Sequence, residues 1–310
     1  MHPAFSLIIF SSVSGVGFGL MAMLGIAAAL EAAPSSSLLA LLGGMAALGL
    51  AAVGLLASVF HLRRPERAWR AFSEWRSSWL SREGWLAVAT MAVFFVFALT
   101  WAITGRAPQV LGIASAALAV ATVFCTAMIY AQLRTVPRWH TPLTPLAFVL
   151  IALATGALAL ASVLAWFAEG RGAASVALVF LVLAAAAKVA WFAHARGATL
   201  ERAGASIEAA TGLVGRGAAK LFEAPHTGSN YLMHEMVYVV GRRRASALRK
   251  VAAVLGVLVP LVLLLATVAG LLPVKLLGVA LLIQLLGIFA ERWLFFAEAQ
   301  HAVSAYYGHR

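Results

Sequence analysis

SLLALLGGMAALGLAAVGLLASVFHLRRPERAWRAFSEWRSSWLSREG, residues 37–84, joins an apolar run to a segment with six arginines and three tryptophans. The apolar run, residues 37–62, has no acidic or basic side chain before His61. A helix of about 20 such residues spans the roughly 30 Å hydrocarbon core of a bilayer. The stretch therefore predicts a membrane helix that ends at a boundary histidine and is followed by a basic, aromatic loop.

The same pattern recurs along the whole chain of 310 residues. Hydrophobic residues make up 63% and charged residues 11% of it, and the mean hydropathy is +0.95, which leaves too little charged surface for a soluble globule. The apolar runs are continuous and rich in Leu, Ala and Gly, which favours helices over a β-barrel. The prediction is an all-α integral membrane protein, a single polytopic domain 1–310 with eight transmembrane helices at about 6–30, 37–62, 84–104, 110–133, 145–168, 174–194, 251–271 and 274–296.

The basic residues between the predicted helices are unevenly distributed. Seventeen Lys and Arg follow helices 2, 4 and 6, whereas three, Arg106, Arg171 and Lys275, lie in the other connections. The positive-inside rule then places the even-numbered connections and both termini in the cytoplasm of a bacterium, with the helices in its cytoplasmic (inner) membrane. Because the positive charge is explained by topology, no nucleic-acid partner is expected. The first run lacks a basic n-region and is predicted to be a membrane helix rather than a cleaved signal.

The longest predicted connection is a cytoplasmic loop, residues 195–250. Its second half contains an amphipathic stretch that ends in Arg242, Arg243 and Arg244. One interpretation is an interfacial helix whose arginines contact anionic lipid. An ordinary topogenic charge cluster explains the same residues equally well.

Metal chemistry within this chain is not expected. Cys125 is the single cysteine and lies inside the fourth apolar run, so there is no cysteine set for zinc or an iron–sulfur cluster. No histidine lies at the centre of an apolar run, so a bis-histidine haem is not expected either. Four histidines lie near the predicted cytoplasmic boundary: His61, His140, His194 and His301.

His61 ends the second apolar run and Glu83 opens the third at the same depth, so the two side chains can converge on one pocket. A histidine titrates near neutral pH, and a neighbouring carboxylate can orient the ring or relay its proton. Quinone reduction and quinol oxidation need such groups because two protons move with two electrons. The alternative is that both residues merely anchor helix ends at the membrane interface.

The last apolar run carries a second polar pair, Glu291 and Arg292, roughly 22 to 24 Å along the helix. Charged residues at that depth usually face the bundle interior or a wet cavity. Arg292 is a candidate hydrogen-bond donor to a quinone carbonyl, and the alternative is an ion pair with Glu291. Lys188, near the inner end of the sixth run, is predicted to extend its ammonium group to the interface.

Three segments carry a family resemblance: ASVFHLRRPERAWRAF with SSWLSREG, IYAQLRTVPRWHTPLTPLAFV, and ERWLFFAEA. They resemble the membrane anchor subunits of dimethyl sulfoxide reductase-type molybdoenzymes, the DmsC family, and the likeness runs through all eight helices. The family's motif positions fall on His61, Leu62, Pro65, Arg67, Ala68, Trp69, Leu80, Ser81, Glu83, Thr135, Val136, Pro137 and Trp139.

The resemblance implies a complex of three chains: this anchor, an iron–sulfur subunit with four clusters, and a molybdopterin catalytic subunit. Molybdopterin and the clusters then belong to the partners, and the anchor binds ubiquinone or menaquinone. The family associates the histidine and the glutamate with quinol binding, so His61, Glu83 and Arg292 are the predicted quinone and proton-transfer residues. Secondary candidates are Ser81, Tyr130, His140, Glu291 and His301.

The arginine–tryptophan loop, residues 62–78, and the connection after helix 4 are predicted to dock the partner subunits on the cytoplasmic face. Tryptophan anchors and arginines facing acidic residues or lipid phosphates are typical of such surfaces. The predicted docking residues are Arg63, Arg64, Arg67, Trp69, Arg70, Trp75, Trp79, Arg134, Arg138 and Trp139.

The opening MHPAFSLIIFSSVSGVGFGL and the segment EAPHTGSNYLMHEM are similar to the branch of the family found with cytoplasmic sulfite-oxidising enzymes, the SoeC type. That likeness implies electron flow from sulfite to the quinone. Two alternatives remain open: an anchor of a quinol-oxidising dimethyl sulfoxide or polysulfide reductase, and, more remotely, a membrane transporter.

Overall fold

A computed structural model of the chain describes residues 5–60, 62, 64–167, 170–219, 222–223 and 245–303. Eight long apolar helices are found in these ranges, each of sufficient length to cross a membrane, and no strand is present among them. The predicted number of membrane helices and the all-α class are therefore confirmed. The helices are α1 Phe5–Ala29, α2 Ser37–Val59, α3 Trp79–Thr104, α4 Gln109–Ala131, α5 Leu143–Phe167, α6 Arg171–Gly197, α7 Ala245–Val268 and α8 Val274–Ala297.

Helix α3 begins at Trp79, five residues before the start expected from hydropathy. The Ser78 hydroxyl accepts a hydrogen bond of 3.5 Å from the Ser81 N–H and caps the helix. Polar residues at 81–83 are therefore helical, and Glu83 lies in the second turn rather than at the helix end. At the other end, Gly105 adopts φ 72°, the left-handed conformation that terminates many helices.

The centre of the bundle is α1, which packs against α2, α4 and α5. Helix α5 in turn contacts α6 and α8, and α7 packs on the outside against α6 and α8. Gly19 of α1 and Gly156 of α5 meet so closely that an added Cβ on either would overlap the other helix's backbone. Small residues at such crossings let membrane helices pack through their backbones.

Helix α1 contains a π-helical segment, Phe10–Ser14. The hydroxyls of Ser11 and Ser14 donate to carbonyl oxygens of the preceding turn, Leu7 at 3.0 Å and Phe10 at 2.6 Å. Such segments reorient side chains and occur often at functional sites. Here it supplies buried serine side chains to the interior of the bundle.

The two ends of the bundle differ in charge. The connections α2–α3, α4–α5 and α6–α7 meet at one end, which we call the basic face; the other connections form the opposite face. The α2–α3 connection contains a short 3₁₀ helix, Pro65–Phe72, with no buried residue. The α6–α7 connection contains a five-residue helix, Ile207–Thr211, within its described part. The arginines at 242–244, assigned above to an interfacial helix, lie outside the described residues.

Candidate functional site

Glu83 is a buried carboxylate in the basic half of the bundle. Its side chain is 4% exposed, and its Oε1 accepts a hydrogen bond of 2.5 Å from the hydroxyl of Thr126 on α4. Four residues earlier on α4, Thr122 shares a hydroxyl hydrogen bond of 2.8 Å with Thr90 of α3. A carboxyl group held by one hydroxyl donor in a buried helix interface is suited to taking up and releasing a proton.

The residues beside Glu83 point outward and hold the arginine–tryptophan loop against α3. The Arg82 guanidinium donates to two loop carbonyls, those of Trp75 at 3.1 Å and Arg76 at 2.6 Å. The Trp85 indole N–H donates to the carbonyl of Phe72 at 3.0 Å, and the two rings meet edge to face at 5.4 Å. A single turn of α3, residues 82–85, therefore fixes both the buried carboxylate and the fold of the loop.

A groove of about 500 Å³ lies between this loop and helices α3 and α4. Its volume is within the usual range for small-molecule sites, and its walls are aromatic with one cation. The groove and Glu83 adjoin the same parts of α3 and α4, since Arg82, the neighbour of Glu83, and Cys125, the neighbour of Thr126, both line the groove. The lining residues are Phe72, Trp75, Arg82, Trp85, Leu86 and Cys125.

A second polar cluster lies where α6 meets α8. Glu291 forms ion pairs with Lys188 of α6 at 2.6 Å and with its neighbour Arg292 at 2.9 Å. The prediction that Lys188 extends to the interface is wrong: its side chain is 13% exposed because it is held inside by Glu291. Arg292 is 2% exposed and its guanidinium carbon stands 3.7 Å from the centre of the Phe148 ring. The cluster thus holds two cations and one anion in a buried place.

Arg292 and Thr126 line one small polar cavity between α1, α4, α5 and α8. It has a volume of about 20 Å³, enough for a water molecule but too small for a quinone ring. Within the described residues, the Ser12 hydroxyl and Arg292 Nη1 are buried without a hydrogen-bond partner, and both residues line this cavity. Thr126 therefore connects the surroundings of Glu83 with those of Arg292.

A cluster of aromatic side chains closes the basic end of the bundle. Trp139 stacks on Phe295 with ring centres 5.1 Å apart and donates its indole N–H to the carbonyl of that residue at 2.9 Å. Tyr130 is buried and meets both rings edge to face. Tyr130 and Trp139 therefore join the end of α4 and the α4–α5 connection to α8 through internal packing.

Arg138 is engaged in the same junction. It donates to the carbonyl of Glu298 at 3.1 Å and lies 3.7 Å from its carboxylate, which also pairs with Arg249 at the start of α7. Glu298 is 6% exposed. These ion pairs anchor the chain after α8 to two other parts of the basic face.

The remaining predicted docking residues divide by exposure. Trp79 is half-buried beneath the Arg82 guanidinium, 4.4 Å from its ring centre. Those with mostly exposed side chains are Arg64, Arg67, Trp69, Arg70, Trp75 and Arg134. Arg63 and the proposed proton carrier His61 lie outside the described residues.

The secondary candidates occupy separate positions. Ser81 is fully buried, and its hydroxyl has no hydrogen-bond partner in the described parts of the chain. His140 Nδ1 lies 2.7 Å from the carbonyl oxygen of Ala131. His301 Nδ1 accepts a hydrogen bond of 3.1 Å from the Val303 N–H, and partial burial lowers the pKa of its ring. No set of three His, Cys, Asp or Glu side chains suited to a metal ion occurs in the described ranges.

Sequence reasoning did not identify Thr126, Arg82, Trp85 or Lys188 as parts of these clusters. A signal existed for Thr126, because Thr122 and Thr126 stand four residues apart and form a polar line on one face of an apolar helix. Nothing local distinguishes Lys188, since its partner lies about a hundred residues further along the chain.

These features define a polytopic helical membrane protein with a buried carboxylate behind a loop rich in arginine and tryptophan. The family model for the DMSO reductase anchor subunit (DmsC) matches residues 1–297. The chain belongs to that family and is a membrane anchor subunit.

Two relatives support the assignment. A sulfite dehydrogenase subunit of Allochromatium vinosum is 34% identical over 334 aligned positions, covering 99% of both chains. The anaerobic dimethyl sulfoxide reductase chain YnfH of Escherichia coli is 38% identical over 119 positions, covering 36% of this chain and 40% of that protein. The family resemblance stated from the motifs is thereby confirmed.

Proposed function

We propose that this anchor binds quinone and passes electrons to it from an iron–sulfur subunit, in a complex whose molybdopterin subunit oxidises sulfite to sulfate. The observation that carries the proposal is the Glu83–Thr126 pair, buried behind the aromatic groove at the basic face. A quinone that takes two electrons must also take two protons to become a quinol. Glu83 is a proton carrier beside a groove of suitable size, since its neighbour Arg82 lines that groove.

Each part of the site has a distinct task in this proposal. The rings of Phe72, Trp75 and Trp85 bind the flat quinone head, while the open side of the groove admits its apolar tail from the membrane. Arg82 keeps the loop folded over α3 through its two bonds to loop carbonyls. Glu83 delivers a proton, and Thr126 holds the carboxyl group in one orientation. His61, from the family resemblance, is the second proton carrier.

Arg292 has a supporting role in this scheme. Its cavity has room for water and not for a ring, so its influence on the quinone is exerted through Thr126 and the positive charge rather than by direct contact. Arg292 is the only basic side chain among the described residues that line the water-sized cavity.

The exposed arginines and tryptophans of the loop 62–78 are the proposed docking surface for the iron–sulfur subunit. Arg67, Trp69 and Arg70 have exposed side chains and follow each other along one short loop. Aromatic and arginine side chains contribute most to the energy of many protein interfaces. A partner docked there brings its terminal cluster to the end of the bundle that holds Glu83.

Two observations support the proposed direction of electron flow and the proposed orientation of the chain in the membrane. The relative aligned along the full length is named a sulfite dehydrogenase subunit, and the distribution of basic residues favours a cytoplasmic basic face in a bacterial inner membrane. A cytoplasmic catalytic pair fits oxidation of sulfite inside the cell.

The test is purification of the tagged complex in mild detergent from its native membrane, followed by two assays on the same preparation. Sulfite oxidation with a soluble acceptor reports the partner subunits, and sulfite-dependent quinone reduction reports the anchor. Glu83→Gln should lower quinone reduction about 10²-fold and leave the soluble-acceptor rate unchanged. His61→Ala should act in the same direction.

The matched control is Thr90→Val, which removes a hydroxyl from the same α3–α4 interface without touching the carboxylate. Thr126→Val should lower quinone reduction, whereas Thr90→Val should not. Full quinone reduction by Glu83→Gln in an assembled complex would refute the assigned proton carrier.

The partial likeness to a dimethyl sulfoxide reductase chain supports a second candidate, an anchor that oxidises quinol. A complex that reduces dimethyl sulfoxide with quinol and ignores sulfite would favour it.

A further inference from the structure

A large cavity lies at the opposite face, away from the proposed quinone groove. It has a volume of about 1120 Å³ and is enclosed by α1, α5, α6 and the start of α8. Its interior is apolar, with Met23, Leu160, Leu164 and Val176 among the lining side chains. The cavity is therefore chemically unlike the water-sized polar cavity beside Arg292.

The mouth of this cavity lies at the level of helix ends. Leu30 follows the last residue of α1, Trp166 is in the last turn of α5, and Arg171 and Lys275 begin α6 and α8. Helix ends of a membrane bundle lie near the lipid headgroups, where tryptophans are enriched. Trp166 fits this position, since its side chain is 78% exposed.

Two basic side chains stand at this mouth. The opposite face has three basic residues between its helices, and two of them, Arg171 and Lys275, line the cavity, while Arg106 does not. None of the described lining residues carries a carboxylate. A ligand complementary to the whole site would have an anionic group that pairs with the two cations and an apolar body that fills the cavity.

The beginning of α6 adds to this complementarity. Gly170, Arg171, Gly172 and Ala173 all line the cavity, and the first N–H groups of a helix have no partner within it. The positive end of the helix dipole therefore faces the cavity mouth. The two glycines, which have no side chain, and the alanine leave the backbone open to a phosphate oxygen.

We propose that the cavity binds one anionic phospholipid, with its phosphate between Arg171 and Lys275 and its acyl chains among Met23, Leu160 and Val176. A neutral quinone would leave both cations unmatched. The site is separate from the quinone groove, so the proposal does not depend on the function proposed above.

The experiment is native mass spectrometry of the detergent-purified full chain after exchange into equal amounts of phosphatidylglycerol and phosphatidylcholine. The wild type should retain one phosphatidylglycerol in preference to phosphatidylcholine. Arg171→Gln with Lys275→Gln should lower that preference about 30-fold, since each cation near a membrane surface is worth roughly 1 kcal/mol. Arg106→Gln, the third cation of this face, should leave it unchanged.

A steric variant tests the cavity independently of charge. Gly172 lines the cavity and a Cβ there meets no atom within 4 Å, so Gly172→Trp is compatible with the helix and should narrow the cavity. The bound lipid should then be lost although both cations remain. The proposal is overturned if the double glutamine variant keeps the wild-type preference, if both lipids are retained equally by the wild type, or if a quinone is retained in their place.

Discussion

Glu291 is the single anion of a buried cluster that also holds Lys188 and Arg292, and this unequal composition predicts opposite results for two substitutions. Glu291→Gln preserves the shape of the side chain but leaves two cations, 2.6 and 2.9 Å from its oxygens in the native chain, without an anion. Removing one member of a buried ion pair costs about 3–5 kcal/mol because the partner charge stays buried and unmatched. We expect the free energy of unfolding to fall by about that amount.

Lys188→Met removes one cation and keeps a side chain of similar length. Glu291 then still pairs with Arg292, and the remaining cluster is electrically neutral. Replacement of a buried charge by an apolar side chain is often neutral when no charge is left alone, so the expected change is within about 1 kcal/mol. Arg292 also retains its contact with the Phe148 ring.

The assay is reversible unfolding of the full-length chain in mixed micelles, titrated with sodium dodecyl sulfate and followed by tryptophan fluorescence and circular dichroism. The two variants should differ by at least about 2 kcal/mol, with the glutamine variant less stable. The reasoning is refuted if Lys188→Met is the more destabilising change, or if Glu291→Gln unfolds within about 1 kcal/mol of the wild type.

Three further outcomes are expected. Arg82→Gln removes two bonds to loop carbonyls, so hydrogen exchange in residues 62–78 should become faster while the α-helical content is unchanged. Gly156→Val should prevent stable folding because its side chain would overlap the backbone of α1, whereas Gly49→Val, with open space around it, should be tolerated; thermal unfolding of purified protein compares them. Burial lowers the pKa of His301, so its ring is neutral at pH 7.5 and accepts a hydrogen bond from the Val303 N–H. The stabilisation by this hydrogen bond should be lost as the pH falls from about 6.5, the pKa in the unfolded chain, toward the lower pKa of the folded chain. Exchange at Val303, corrected for its intrinsic pH dependence, should then accelerate at pH 5.

The sequence determined the class of protein because hydropathy is a local property that each segment carries by itself. A run such as residues 37–62 must be helical in a bilayer, where every backbone polar group needs a partner within its own segment. The family motif was also readable, since Leu80, Ser81 and Glu83 lie close together in the chain. The start of α3 could not be predicted from hydropathy. Ser78 caps the helix, and the first turn that follows is too polar to be recognised as part of an apolar run.

Only the tertiary structure decided which polar side chains share a site. Lys188 and Glu291 are a hundred residues apart in sequence and 2.6 Å apart in the bundle, and Thr126 reaches Glu83 because α3 and α4 pack side by side. The tertiary structure also separates two tryptophans that the sequence placed on the same docking surface. Trp139 packs against Phe295, whereas Trp69 is exposed. The reason is physical: burial of a charge or a ring depends on which helix faces it, and that choice is made by packing between distant segments.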